Sequence, residues 1–474
     1  MQMAKTIDKE WNEECAVVGV YNVKNASLLS YYALFAMQHR GQEASGIASS
    51  NGTKITTIKG NGLVTKVFTQ RKLAKLEGKS SIGHNRYATA GEDSLNDAQP
   101  IFARYSLGEM AIAHNGNLTN AKELRQELTK NGAIFQSHLD TENLIHLIAR
   151  SNKQHLVDRI IDALKLVDGA YCFVFLSRSK MFVVRDRYGL RPLSLAKIEN
   201  DDGSVGYIVA SETCAFDLIG ASFVRDIKAG EMLVFEGAYS PLGNTQPQSI
   251  QVFEPKELPC VFEYVYFSRP DSQVYGKNVY EIRKNLGARL AKEFKLQADI
   301  VIPVPDSGVA AALGYSKQSG IDFELGIIRN HYVGRTFIEP TQSSRELKVR
   351  LKLNPIISII KGKDVIVIDD SVVRGTTSKQ IVRILRKAGA RKIYMLISAP
   401  PTISPCYYGV DTPDKEQLIC ANKTVQEVCE FIGADFLGFL SIEGMLESIG
   451  GGTQFCKACF DGKYVDEFLL SKQV

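Results

Sequence analysis

Cys15 opens the apolar run CAVVGVY directly after Asn-Glu-Glu, and a thiolate is a competent nucleophile for cleaving an amide. Taken alone it reads equally as a buried strand cysteine. Three polar strings stand beside it: QHRGQEASGIA (38–48), GHNRYATAG (83–91) and AHNGNLTN (113–120). A second chemical centre lies in VIVIDDSVVRGTTSKQI (365–381), where Asp369 and Asp370 fall at the end of an apolar run and Ser371–Thr377 lead into a helical pattern. Gly375 lets the backbone approach a ligand, Thr376 and Thr377 supply hydroxyls, and the helix start adds free N–H groups. Together these make a phosphate cradle that needs no lysine. Paired carboxylates beside it suit two vicinal ribose hydroxyls or a magnesium ion. An isolated Asp-Asp pair, by contrast, is only a solvated turn. Four cysteines form a third set: Cys456 and Cys459 in CKAC, Cys260 in LPCVFEYVYF and Cys406 in SPCYYG. On residue type alone they suit zinc or an iron–sulfur cluster equally.

The elements that must position these groups change character near residue 250. Before it, short β-patterned runs (15–21, 78–91, 110–116, 171–178, 181–186) alternate with helical patterns at 28–42 and 138–150. Arg86 and Thr89 fall on a strand or its exit, and Asn115 and Gly116 in a predicted turn. Mixed runs of this kind predict layered sheets covered by helices. A loop-like stretch, 243–259, carries the transition. Beyond it, apolar strands at 298–308, 364–370 and 392–401 alternate with helices, one of them starting near Thr377. That is the mark of a parallel sheet buried on both faces, whose ligands bind off the strands' carboxyl ends.

Bulk composition limits the remaining classes. The chain has 474 residues, 45% of them hydrophobic and 23% charged, and a net charge of +5. That excess is too slight to imply nucleic-acid binding. No run approaches a membrane span, and residues 1–14 lack the apolar core of a secretory signal, so a cytoplasmic protein is expected. Cys172, Cys214, Cys420 and Cys429 read as packing residues.

The string at 365–381 resembles the phosphoribosyl pyrophosphate signature of type I phosphoribosyltransferases. HRGQ, HNRYAT and HNGN, in this order behind Cys15, resemble the glutamine amidotransferases with an N-terminal nucleophile (Ntn). Both signatures in one chain, with EYVYFSRPDS (263–272) and the basic string 330–354, resemble the glutamine phosphoribosylpyrophosphate amidotransferases over nearly the whole length. The resemblance implies an Ntn-hydrolase αββα sandwich at 15–250, a type I phosphoribosyltransferase parallel-sheet domain at 251–474, and a propeptide at 1–14. Removing that propeptide would expose the α-amine of Cys15 as base.

The family implies glutamine and phosphoribosyl pyrophosphate as substrates, purine nucleotides as feedback inhibitors, and a homodimer or homotetramer. By the same resemblance, Asn115 and Gly116 form the oxyanion hole, Arg86 holds the α-carboxylate of glutamine, Asp140 its α-ammonium, and Arg40 orders the loop around Cys15. Thr89 joins the glutamine site, and Arg374 with Thr376 and Thr377 the phosphate site. Ser307, in VIPVPDSG, joins Asp369 and Asp370 around magnesium and pyrophosphate. Arg335, Arg350 or Lys352 would pair with pyrophosphate from a closing loop. One branch of the family carries a propeptide and a [4Fe-4S] cluster, and the four cysteines place the chain there. Two other classes compete: amidotransferases with a different acceptor, which lack the 365–377 motif, and phosphoribosyl pyrophosphate-sensing regulators, which have no need of Cys15, Arg86 and Asn115.

Overall fold

The computed structural model describes residues 14–87, 95–240, 245–330, 353–451 and 454–471. Thr89, Arg335, Arg350, Lys352 and nearly all of the 1–14 segment lie outside them.

Glu14–Tyr21 is a strand rich in β-branched residues, and it runs near the middle of a seven-stranded antiparallel sheet between Ser80–Tyr87 and Val205–Ala210. Alternation sorts its side chains. Ala16, Val18 and Val20 pack outward against Ala33 and Leu34 of the helix Ala26–Ala36. Val17 and Tyr21 pack inward against Ala111, Ala113 and Val174 of a second, six-stranded antiparallel sheet. That sheet's outer face, with Ile112 and Phe173, rests on Leu144 and Ile148 of the helix Thr141–Arg150. The layers are helix, sheet, sheet, helix, as the αββα expectation requires.

Two local readings are corrected. Asn115 and Gly116 are not in a turn: they lie within the strand Gly108–Leu118, opposite Cys172 and Tyr171. Polar residues that suggested a turn have internal partners here, so the ladder continues through them. Gly116 is obligatory in this strand, with φ of 145° and the position of an added Cβ only 2.1 Å from the carbonyl oxygen of Ala170. The stretch read as loop also contains a strand, Gln248–Gln251, which pairs with Glu231–Phe235 at the edge of the second sheet.

In the C-terminal half, Ile300–Pro303, Asp364–Asp369, Lys392–Ile397 and Phe436–Phe439 form a parallel sheet in that order. Val365 and Val367 face the helices Thr376–Lys387 and Val425–Ile432; Ile366 and Ile368 face Val279–Glu293 and Val309–Ser319. Each such side chain contributes about 1.5–3 kcal/mol on full burial, which is why these strands read as unbroken apolar runs. The two halves share one core, in which Ala170, Tyr188 and Leu190 pack with Cys260, Val261, Tyr264, Cys406, Tyr408 and Cys456.

Candidate active site

Cys15, fully buried, sits directly opposite Arg86 in the ladder between their two strands. Residues 15, 17, 19 and 21 share the inward face, as do 82, 84 and 86 on the neighbouring strand and 111, 113 and 115 across the gap. Cys15, Arg86 and Asn115 therefore project into the space between the sheets. Ser211 marks the shared end, since its hydroxyl oxygen accepts from the N–H of Val17 at 3.0 Å and from Asn115 Nδ2 at 3.4 Å. His84 Nε2 donates to the carbonyl oxygen of His114 at 2.9 Å, bridging the sheets just before Asn115. Burial pushes the His84 imidazole down to about 3, so it is a neutral donor.

Asp140 precedes the helix Thr141–Arg150; its Oδ2 accepts from the N–H of Leu118 at 2.8 Å, and its Oδ1 lies 3.3 Å from His114 Nδ1. Burial opposes ionisation there, but His114 and these donors outweigh it and hold the carboxyl below its ordinary range. A fixed anion beside the Asn115 strand suits an ammonium group.

Arg40 closes a 3₁₀ turn, Gln38–Arg40, where the helical pattern predicted to reach residue 42 ends early. Its Nε donates to the carbonyl oxygen of Cys15 at 3.0 Å. Its other nitrogens meet Glu212 at 2.7 Å and both oxygens of Glu263 at 2.8 Å. Arg191 adds a second guanidinium, 3.1 Å from Glu263. All four groups are buried. Burial favours the neutral acids, yet His39 and Arg40 hold Glu212 well below the usual range, and Arg40 and Arg191 do the same for Glu263. Glu212, Arg191 and Ser211 were missed in the sequence, where nothing distinguishes them from surface polar residues. Glu263 stands inside EYVYFSRPDS, a string noticed without a role for its acid.

At the other centre, Asp369 ends its strand and Asp370 follows, both buried. Ser371 Oγ donates to Asp370 at 2.6 Å. Burial and then the adjoining Asp370 charge push Asp369 well up, as crowding of two carboxylates requires. Gly375 sits at φ 71° and caps the helix Thr376–Lys387, leaving Thr376 and Thr377 exposed at its start. Arg374 points into solvent, with Nε 3.1 Å from Gln417. Ser307 lies on the loop after the neighbouring strand Ile300–Pro303, whose exit is fixed by a 2.9 Å bond from the Val304 N–H to the Ile368 carbonyl. The predicted phosphate loop and metal pair thus share the sheet's carboxyl end.

The four cysteines converge from distant positions. Cys260 and Cys456 are bridged side by side, with Cys456 N–H donating to Pro259 at 2.9 Å and Val261 N–H to Cys456 at 3.1 Å. The carbonyl of Cys459 accepts from Ile403 and Ser404 at 2.9 and 3.2 Å, close to Cys406 in the chain. Burial pushes Cys260 up to about 11, with the charge of Cys406 adding to it. Cys459 is pushed up by burial, with the other three cysteines adding. Among the described residues, however, no group of three or more His, Cys, Asp or Glu stands ready to hold a single metal ion. Cys172 and Cys214 are buried packing residues as expected; Cys420 and Cys429 are half-buried.

Comparison with known proteins agrees with this layout. Residues 84–217 match the glutamine amidotransferase domain family and residues 276–428 the phosphoribosyl transferase domain family. The chain is therefore a two-domain amidotransferase with a phosphoribosyltransferase acceptor domain. It is 47% identical to the amidophosphoribosyltransferase of Bacillus subtilis (strain 168) over 97% of this chain and 95% of that protein. Against amidophosphoribosyltransferase 1, chloroplastic, of Arabidopsis thaliana it is 49% identical over 96% of this chain and 79% of that one. A solved structure of the B. subtilis glutamine phosphoribosylpyrophosphate amidotransferase complexed with ADP and GMP superposes with a TM-score of 0.89 at 46% identity, covering 96% of this chain and 98% of that one. The chain belongs to the amidophosphoribosyltransferase family, the glutamine-dependent enzymes of the first step of purine biosynthesis. No described helix is long and apolar enough to cross a membrane.

Proposed function

We propose that this chain makes phosphoribosylamine, with Cys15 as the glutamine nucleophile and residues 369–377 as the phosphoribosyl pyrophosphate site. The observation that carries the donor half is the meeting of Cys15, Arg86 and Asn115 in the gap between the two sheets. Cleavage after Glu14 frees the amine of Cys15, which takes the thiol proton. The sulfur then attacks the side-chain amide carbon of glutamine. Asn115 Nδ2 and the Gly116 N–H receive the oxyanion, a stabilisation of about 3–4 kcal/mol per donor in comparable sites. Arg86 holds the α-carboxylate and Asp140 the α-ammonium, and Thr89 is a further glutamine-binding residue. The C–N bond breaks and ammonia leaves with the transferred proton. Water then releases glutamate from the thioester.

Ammonia attacks the anomeric carbon of phosphoribosyl pyrophosphate, and the bond to pyrophosphate breaks. Gly375, Thr376, Thr377 and the helix start cradle the 5′-phosphate, with Arg374 at the rim. Lys352 and the basic string around it cover the pyrophosphate and keep ammonia from bulk water, where it would be protonated and lost as a nucleophile. Asp369, Asp370 and Ser307 fit a magnesium ion by their oxygen donors, because burial and mutual repulsion disfavour two crowded carboxylates. Bound there, the ion would neutralise the departing pyrophosphate. The four cysteines fit a [4Fe-4S] cluster by residue type and by their shared, buried field. It would clip the C-terminal segment to the acceptor domain.

Domains at 15–250 and 251–474, a propeptide at 1–14, a cytoplasmic homo-oligomer and feedback by purine nucleotides complete the reading. The last draws support from the ADP and GMP in the similar B. subtilis structure. The test is glutamate release with and without phosphoribosyl pyrophosphate, together with the intact mass of the purified chain. A mature chain that keeps residues 1–14, or a Cys15→Ala variant that still hydrolyses glutamine, would overturn it.

A further inference from the structure

Glu263 belongs to the segment that opens the acceptor half, yet its carboxylate clasps Arg40 with both oxygens at 2.8 Å, and Arg40 in turn holds the carbonyl of Cys15 at 3.0 Å. This is a fork-to-fork pair between fully buried partners, the geometry that fixes orientation best. Its placement is over-determined from the acceptor side. Ser268 Oγ donates to Glu263 Oε2 at 2.7 Å, and buried Arg283 donates from Nη2 to the Ser268 carbonyl at 2.9 Å and from Nε to the Tyr264 carbonyl at 2.8 Å. A set of short polar contacts therefore runs from Arg283, on the first helix of the acceptor half, through Ser268, Glu263 and Arg40 to the backbone of Cys15.

We propose that Glu263 is a positioning residue for Cys15: through Arg40 it sets where the nucleophile's main chain, and hence its sulfur and freed amine, stand relative to Asn115. The inference rests on Cys15 being the nucleophile. The Glu263 carboxylate is taken up by Arg40, Arg191 and Ser268, so its loss acts on the chemical step and leaves glutamine binding to Arg86 and Asp140.

Glu263→Gln keeps the shape and removes the charge. Its kcat for glutamine hydrolysis should fall about tenfold or more, a barrier increase of about 1.4 kcal/mol. KM for glutamine should stay within about twofold, and the rate of Cys15 alkylation by iodoacetamide should fall with kcat. Synthesis from phosphoribosyl pyrophosphate and excess ammonium salt needs no Cys15 and should be retained. An unchanged kcat, or a parallel loss of the ammonia-dependent rate, would overturn the proposal. Should Glu263→Gln not fold, Ser268→Ala loosens the same carboxylate and should lower kcat alone by about twofold to fivefold; no change there also overturns it. Cys15→Ala separates the two readings. If that variant keeps glutamine hydrolysis, the nucleophile assignment has failed, whatever Glu263 does.

Discussion

His84 donates through Nε2 to the carbonyl of His114, tying the two sheets one residue before Asn115. Burial, outweighing that bond, keeps the ring neutral by moving its titration from an ordinary 6.5 down to about 3. The unfolded chain takes up this proton below pH 6.5, whereas the folded chain refuses it until about pH 3. The resulting stability is present above 6.5 and lost as pH falls towards 3, at about 1.4 kcal/mol per pH unit. Melting temperatures of the wild type and His84→Gln between pH 7 and pH 4 test this, and the variant should lose less on acidification. At this scale the sequence is informative where chemistry demands rare types. Cys15, Arg86, Asn115 and the Asp369–Asp370 pair were all legible. Glu212, Arg191 and Ser211 were not, because a buried acid or arginine looks in sequence like any exposed one.

The segment from Asp364 to Lys387 shows an element that carries its own instructions. An apolar strand, two acids, a glycine at positive φ and a helix start all stand in sequence order, so the phosphate loop is set by local conformation. Gly375 is its weak point: an alanine there pays about 1–2 kcal/mol for the left-handed backbone, and its Cβ would come within 2.9 Å of Ile419. Gly375→Ala should raise KM for phosphoribosyl pyrophosphate about tenfold, leave glutamine hydrolysis in the absence of that substrate unchanged, and lower the melting temperature by a few degrees. Steady-state kinetics with each substrate varied will show the split. The strand carrying Asn115 is the opposite case. HNGN has the composition of a turn, and the ladder to Gly169–Ser177, with His84 and Ser211 as further partners, keeps it extended.

Across the whole molecule, Cys260, Cys406, Cys456 and Cys459 gather where the halves share a core. Anaerobically purified protein should contain about four irons and about four acid-labile sulfides per chain. Cys456→Ser should lose both and melt several degrees lower, because the Phe455–Leu469 segment would lose its clip. Absence of both iron and sulfide from the wild type would count against the cluster. The segment is also held by its own burial, with Phe455, Phe460, Tyr464 and Leu469 in the shared core, and by bonds such as Thr119 Oγ1 to Asp466 at 2.9 Å, so the loss of stability should be partial.

By itself the sequence determined which chemistries are present and their order along the chain. A nucleophile, a phosphate loop and a parallel sheet are each specified by residue type and short-range period. Tertiary structure alone decided that Cys15 and Asn115 line the gap between two sheets, and that cysteines spread from residue 260 to 459 pack around one shared core. It also decided that an acid from one half holds the arginine that holds the main chain of Cys15 in the other. Those pairings rest on burial and long-range hydrogen bonding. Neither leaves a period in the chain, because the partners are brought together only when the shared core closes.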